Sequence, residues 1–135
     1  MANFDETMVT VGEQVRVLVV TPWNTLPIVE GSKTYTTHVT MGVFIFANGT
    51  DEKPELIINR KHIPQVSDST RNSFIWHFQW KGWVTSAIML ESITNQFIPA
   101  IQRRRRENNL QPDARAVLFL DGHSSHVTPE LMKAL

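Results

Sequence analysis

The chain contains no cysteine. That excludes a disulfide framework, a zinc ribbon and a thiol nucleophile, and it allows a reducing intracellular home without demanding one. It also lacks an excess of either charge, with 13 Lys and Arg against 13 Asp and Glu. The broad positive field of a general nucleic-acid binder is therefore absent, and any contact with a polyanion must come from a local patch. No apolar run approaches the roughly 18 residues of a membrane span, and Met1 is not followed by the basic-then-apolar pattern of a secretory leader. There is no internal repeat, and the one biased stretch is Arg103-Arg104-Arg105-Arg106. What remains is 135 residues, 41% of them hydrophobic, in the size range of one domain with one sizeable core.

The β-branched runs Met8–Val11 and Val15–Val20, separated by Gly12-Glu13-Gln14, predict two strands joined by a short turn. Between Thr21 and Lys33, Pro22, Asn24, Pro27 and Gly31 predict a loop. Thr36–Ala47 reads as a strand ending at Asn48-Gly49, a dipeptide that favours hairpin turns, and Glu55–Asn59 as the next strand. Trp76, His77, Phe78, Trp80 and Trp83 make an aromatic segment that could pack on a sheet or face a base; packing is the reading taken. Thr85 is placed as a helix N-cap, with Leu90, Ile93, Phe97 and Ile101 along one helical face and a kink or break expected at Pro99. The continuous apolar run Ala116–Leu120 predicts a strand buried on both faces, and a further helix is expected near Pro129–Ala134. Strands, a long helix, a buried strand and another helix together predict a mixed α/β sheet flanked by helices.

Two acids sit oddly for purely structural residues. Asp5 lies in or at the end of the first strand, and Asp121 terminates the most apolar one. Aspartate resists burial in strands, and a carboxylate at a buried strand end is costly unless a cation or hydrogen-bond donors compensate it. Mg²⁺ takes one or two such carboxylates together with waters and phosphate oxygens. The structural alternative is that Asp121-Gly122 is a turn and that Asp5 caps the turn that follows through Thr7.

Asn3-Phe4-Asp5-Glu6-Thr7, the segment Thr40–Thr50 around Phe46-Ala47-Asn48-Gly49, and Lys53-Pro54-Glu55-Leu56-Ile57-Ile58 resemble the catalytic domain of pogo, Tigger and jerky type DDE transposases. Lys81-Gly82-Trp83-Val84-Thr85 and Val117–His126, with its Asp-x-x-x-Ser-His pattern, continue the likeness in the same order over nearly the whole chain. The resemblance implies an RNase H-like fold for residues 1–135 and a DDE endonuclease or strand-transferase activity on DNA, at transposon ends or targets. It implies two Mg²⁺ or Mn²⁺ ions held by three acids, one ion activating the attacking oxygen and the other stabilising the leaving one. Asp5 is then the first acid and Asp121 the second, both catalytic and metal-binding. The family's third acid lies a few tens of residues further on, on a helix. Leu135 stands fourteen residues beyond Asp121 and Glu130 is too close, so a fragment without the third acid, inactive by itself, is expected. A nuclear location follows from the resemblance, and a homo-oligomer is left open. A decayed or domesticated domain that binds DNA or protein without catalysis is the alternative.

The weaker candidates are basic or imidazole groups. Arg103, Arg104, Arg105 and Arg106 could bind phosphates, although cations at a helix C-terminus also complement its dipole. Lys61 and His62, after the strand ending near Asn59, are candidate DNA contacts. His126 could orient the turn after Asp121 or approach a phosphate. His123 and His126 have zinc-like spacing, but His38, His62 and His77 supply no matching ligands. Ser124 and Ser125 lack the context of a hydrolase elbow.

Overall fold

The computed structural model describes residues 1–11 and 37–135. The expected strand at 15–20 and the loop at 21–33 lie outside the described residues. Among the described residues five strands form one sheet: β1 (Ala2–Val11), β2 (Thr37–Phe46), β3 (Glu55–Ile58), β4 (Ile75–Phe78) and β5 (Leu118–Phe119), in the order β4-β3-β2-β1-β5. β2 is antiparallel to β1 and to β3, while β3 pairs with β4 and β1 with β5 in parallel. Four strands thus run one way and β2 runs against them, giving the mixed α/β sheet of an RNase H-like fold. β1 begins six residues before the expected Met8, and its pairing partner is β2, with Val11 opposite Thr37.

Alternation along β1 sends Ala2 and Phe4 into the core, while Asn3, Asp5 and Thr7 are exposed on the other face. Opposite them Phe44 and Phe46 join the same core, which the helices close with Met89, Ile93, Phe97, Ala100 and Leu131. Phe44 and Phe46 both stack on Phe97, at centroid distances of 5.6 and 6.4 Å. The turn after β2 reaches the expected Asn48-Gly49, where Gly49 adopts φ +82, a left-handed conformation that glycine tolerates without steric cost.

The best helix of the sequence is present. The Thr85 hydroxyl accepts from Ile88 N at 3.3 Å and starts α2 (Ser86–Ser92). The helix does not break before Pro99. A π-helical turn over Ile93–Phe97 joins α2 to α3 (Ile98–Glu107), and the Ile98 N–H reaches Ile93 O. Proline crowds the carbonyl four residues back, here Asn95, and the wider π turn relieves that clash without a break. Two short elements were not expected: α1 (Asp68–Ser73), capped by Ser67, and β4 within the aromatic segment. The strand expected to be buried on both faces is instead a sheet edge. Leu118 and Leu120 pack on the core, but Val117 and Phe119 are about half exposed. α4 (Pro129–Ala134), capped by Thr128, buries Leu131 and leaves Met132 outside.

Candidate active site

The site begins with the alternation of β1. Its core-facing residues are followed on the same side by Glu6, which stands opposite Gly42 of β2. Gly42 leaves room that a larger residue would close: a Cβ there would lie 2.8 Å from Phe4 Cζ. The Phe4 ring fills that space, 4.6 Å from the Phe44 centroid and edge-on to His126 at 6.0 Å.

β5 pairs Ala2 with Leu118 and Asn3 with Phe119. Two residues beyond these pairs on each chain stand Asp5, inside β1, and Asp121, past the end of β5. The chain then turns through Ser124–His126, a 3₁₀ turn in which the Ser125 N–H donates to His123 Nδ1 at 3.3 Å. The turn carries His126 back under β1. His126 is 1% exposed and has a carboxylate at each ring nitrogen: Asp121 Oδ1 lies 2.5 Å from Nδ1 and Glu6 Oε1 lies 3.0 Å from Nε2. Asp121 Oδ1 also accepts from the His123 N–H at 3.0 Å. That backbone bond, followed by the His126 contact, holds the Asp121 carboxyl below its ordinary pKa.

One ligand atom from each of Glu6, Asp121 and His126 falls within 4.8 Å of the others, close enough to share one cation. The sequence reading paired Asp121 with Asp5 and gave Glu6 no role. The side-chain contact that spans β1 and the turn after β5 belongs to Glu6, because alternation puts Glu6 on the side where His126 is buried. Asp5 is exposed across the strand, and its Oδ1 accepts from the Glu6 N–H at 2.9 Å. Asp121 keeps an exposed side chain at the sheet edge, with Oδ2 outside both of its hydrogen bonds. Carboxylate oxygens of this kind suit hard divalent ions. Both His126 nitrogens already face carboxylates, so the imidazole is placed to orient the acids, and it would have to release one of them to bind a metal itself.

The basic candidates do not gather at these acids. Arg103 and Arg104 both reach Glu52 Oε1 at 2.6 Å, Arg104 lies 3.4 Å over the Phe46 ring, and Arg105 donates to Ala114 O at 2.5 Å. Three of the four arginines thus hold the end of α3 to the sheet and the following loop, and Arg106 is exposed. Lys61 and His62 are exposed in the bend after β3.

A second polar cluster gave no sequence signal. Glu55 is buried in β3, where it accepts from Ser92 Oγ at 2.6 Å and from Gln96 Nε2. His77 Nε2 lies 3.3 Å from Glu55 Oε2, and the partly exposed Glu91 lies 3.8 Å from Nδ1. Contact with Glu55 raises the His77 pKa above 6.5 in spite of burial. A lone Glu opening a strand looks like any edge residue, and its partners come from a helix more than 35 positions away.

Residues 36–135 match the family model described as DDE superfamily endonuclease. The match covers most of the chain, including Asp121 and His126, and begins after β1, so Asp5 and Glu6 precede it. No curated protein and no solved structure matches the chain.

Proposed function

Because the chain belongs to the DDE superfamily endonuclease family, we propose that it carries the strand-cleavage or strand-transfer site of a transposase-like nuclease acting on DNA. Asp5 and Asp121 are the residues that would hold divalent Mg²⁺ or Mn²⁺. The observation that supports this reading is the parallel pairing of β1, which carries Asp5, with β5, which Asp121 follows, together with an Asp121 Oδ2 that stands outside both hydrogen bonds of that carboxylate. When bound, such ions lower the pKa of an attacking oxygen and balance charge on the leaving one.

The chain's own groups prepare that site. His126 and the His123 N–H fix Asp121 Oδ1 and leave Oδ2 free of both bonds, so that a cation could be shared there with a phosphate oxygen or water. His126 also ties Glu6 to the turn, so β1 and the segment after β5 are joined at the level of the acids. With Asp5, Asp121 and the tethered Glu6 as the nearby carboxylates, the 135 residues by themselves would hold one ion weakly and cut DNA poorly.

The test is Mn²⁺ binding, followed by paramagnetic resonance or calorimetry, in the parent chain and in Asp5→Asn, Glu6→Gln and Asp121→Asn. The expected outcome is loss of binding with Asp121→Asn and with Asp5→Asn, and retention with Glu6→Gln. Loss with Glu6→Gln and retention with Asp5→Asn would move the ion to the Glu6–Asp121–His126 side. Binding unaffected by Asp121→Asn would remove the nuclease reading of this site altogether.

A further inference from the structure

Beside the acids lies a cleft of about 250 Å³ whose walls include Glu6, Thr7, Trp83, Asp121 and His123. Trp83 is 60% exposed, and Trp80, three residues earlier, is 73% exposed with the Lys81 ammonium 4.7 Å from its ring centroid. A single exposed aromatic means little, since much of any protein surface is apolar. Here the backbone that presents it is fixed on both sides. Gly82 is buried with φ +72, its N–H bonds Gln79 O at 2.8 Å, and its carbonyl accepts from the buried Thr40 hydroxyl at 2.7 Å. Lys81 N bonds the Gln79 side chain at 2.5 Å, and Thr85 caps the helix that follows. An indole held outward at the rim of an acidic cleft, by bonds reaching to β2, is a preorganised flat surface.

We infer that Trp83 is a stacking platform for an unpaired nucleobase next to the phosphodiester that the acids would address. The inference rests on the nuclease reading and adds to it the form of the substrate: DNA with at least one unstacked nucleotide at the site. Stacking on an aromatic ring is tolerant of base identity because every base has a π-face. The cleft is smaller than the roughly 300–1,000 Å³ of ordinary small-molecule pockets, a size that suits a single base.

The experiment is fluorescence anisotropy of a labelled single-stranded oligodeoxynucleotide, titrated with the chain at low salt in EDTA, so that metal binding does not enter. Trp83→Ala should weaken binding about 5- to 160-fold, the range expected for loss of one stacked base. Trp83→Phe should bind within about threefold of the parent, and Trp83→Leu, which keeps apolar bulk without a π-face, should resemble Trp83→Ala. The blunt-ended duplex of the same sequence should bind more weakly and respond little to any of the three. Undiminished single-strand binding by Trp83→Ala and Trp83→Leu, an equal loss on duplex, or no single-strand binding by the parent each overturns the inference. Failure of the nuclease reading shows separately, in the Mn²⁺ experiment with the aspartate variants.

Discussion

Replacing Gly42 by Ala tests the packing that supports the site. The added Cβ would meet Phe4 Cζ at 2.8 Å and Cε2 at 3.1 Å, closer than carbon atoms approach without displacement. A ring tip usually yields cheaply, but this ring is 2% exposed, with Phe44 4.6 Å from its centroid and His126 along its edge. Overpacking of a closed site costs about 1–3 kcal/mol. Alanine recovers about 0.4–1 kcal/mol by restricting the unfolded chain. The expected net loss is roughly 1–2 kcal/mol, read in urea denaturation as a lower midpoint at unchanged slope. Adding Phe4→Leu should restore part of the loss, with a coupling of at least about 0.5 kcal/mol in the double-mutant cycle. A midpoint that stays put or rises in Gly42→Ala, or strict additivity in the cycle, would refute the argument that Phe4 is wedged between Gly42 and His126.

Two further expectations concern charge. Because the His77 pKa is raised in the folded state, chiefly by Glu55, protonation of His77 stabilises the fold fully below about pH 6.5 and less as pH rises through the raised value. Urea midpoints measured from mildly acidic to alkaline pH should therefore fall in this window, and Glu55→Gln should flatten the fall; an unchanged slope in that variant would show that Glu55 is not the cause. For the arginine run, Arg106→Ala should leave stability within about 0.5 kcal/mol and lower the salt slope of DNA binding by about one. Arg104→Ala should destabilise the chain through loss of Glu52 and the Phe46 ring; a stability effect confined to Arg106→Ala would reverse these assignments.

The elements legible in the sequence are those whose signal is local. Thr85 as a cap, the strand before Asn48-Gly49 and the helical spacing from Leu90 to Ile101 each depend on neighbours within a few residues, and each is found. The apolar run before Asp121 misled because its composition is the same at a sheet edge as in a sheet centre; only the strand order decides which it is. The aromatic segment was read as packing, yet its tryptophans divide. Trp76 is half-buried and donates to Arg71 O at 2.9 Å, while Trp80 and Trp83 face outward. In the site, the closeness of Asp121 and His126 was legible from one motif. The engagement of Glu6 was not, since it depends on which face of β1 receives a turn 120 residues away. Glu55 and His77 escaped notice for the same reason, as their partners come from another element.

The π turn at Ile93–Phe97 also acts as a correction of phase. The inward residues of the long helix recur every fourth position, through Ile88, Ser92, Gln96 and Ala100 and through Met89, Ile93 and Phe97. At 3.6 residues per turn a row spaced by four drifts about 40° with each step, enough to walk off the sheet within a few turns. One wider turn takes back that drift midway, so Ser92 and Gln96 both meet Glu55 while Arg104, two turns later, still lies over Phe46. Deleting a single residue between Ile98 and Arg103, where the helix is regular and has no extra residue to give up, would rotate everything beyond it by about 100°. The anchor at Glu55 and the anchor at Glu52 could then no longer be satisfied by one helix.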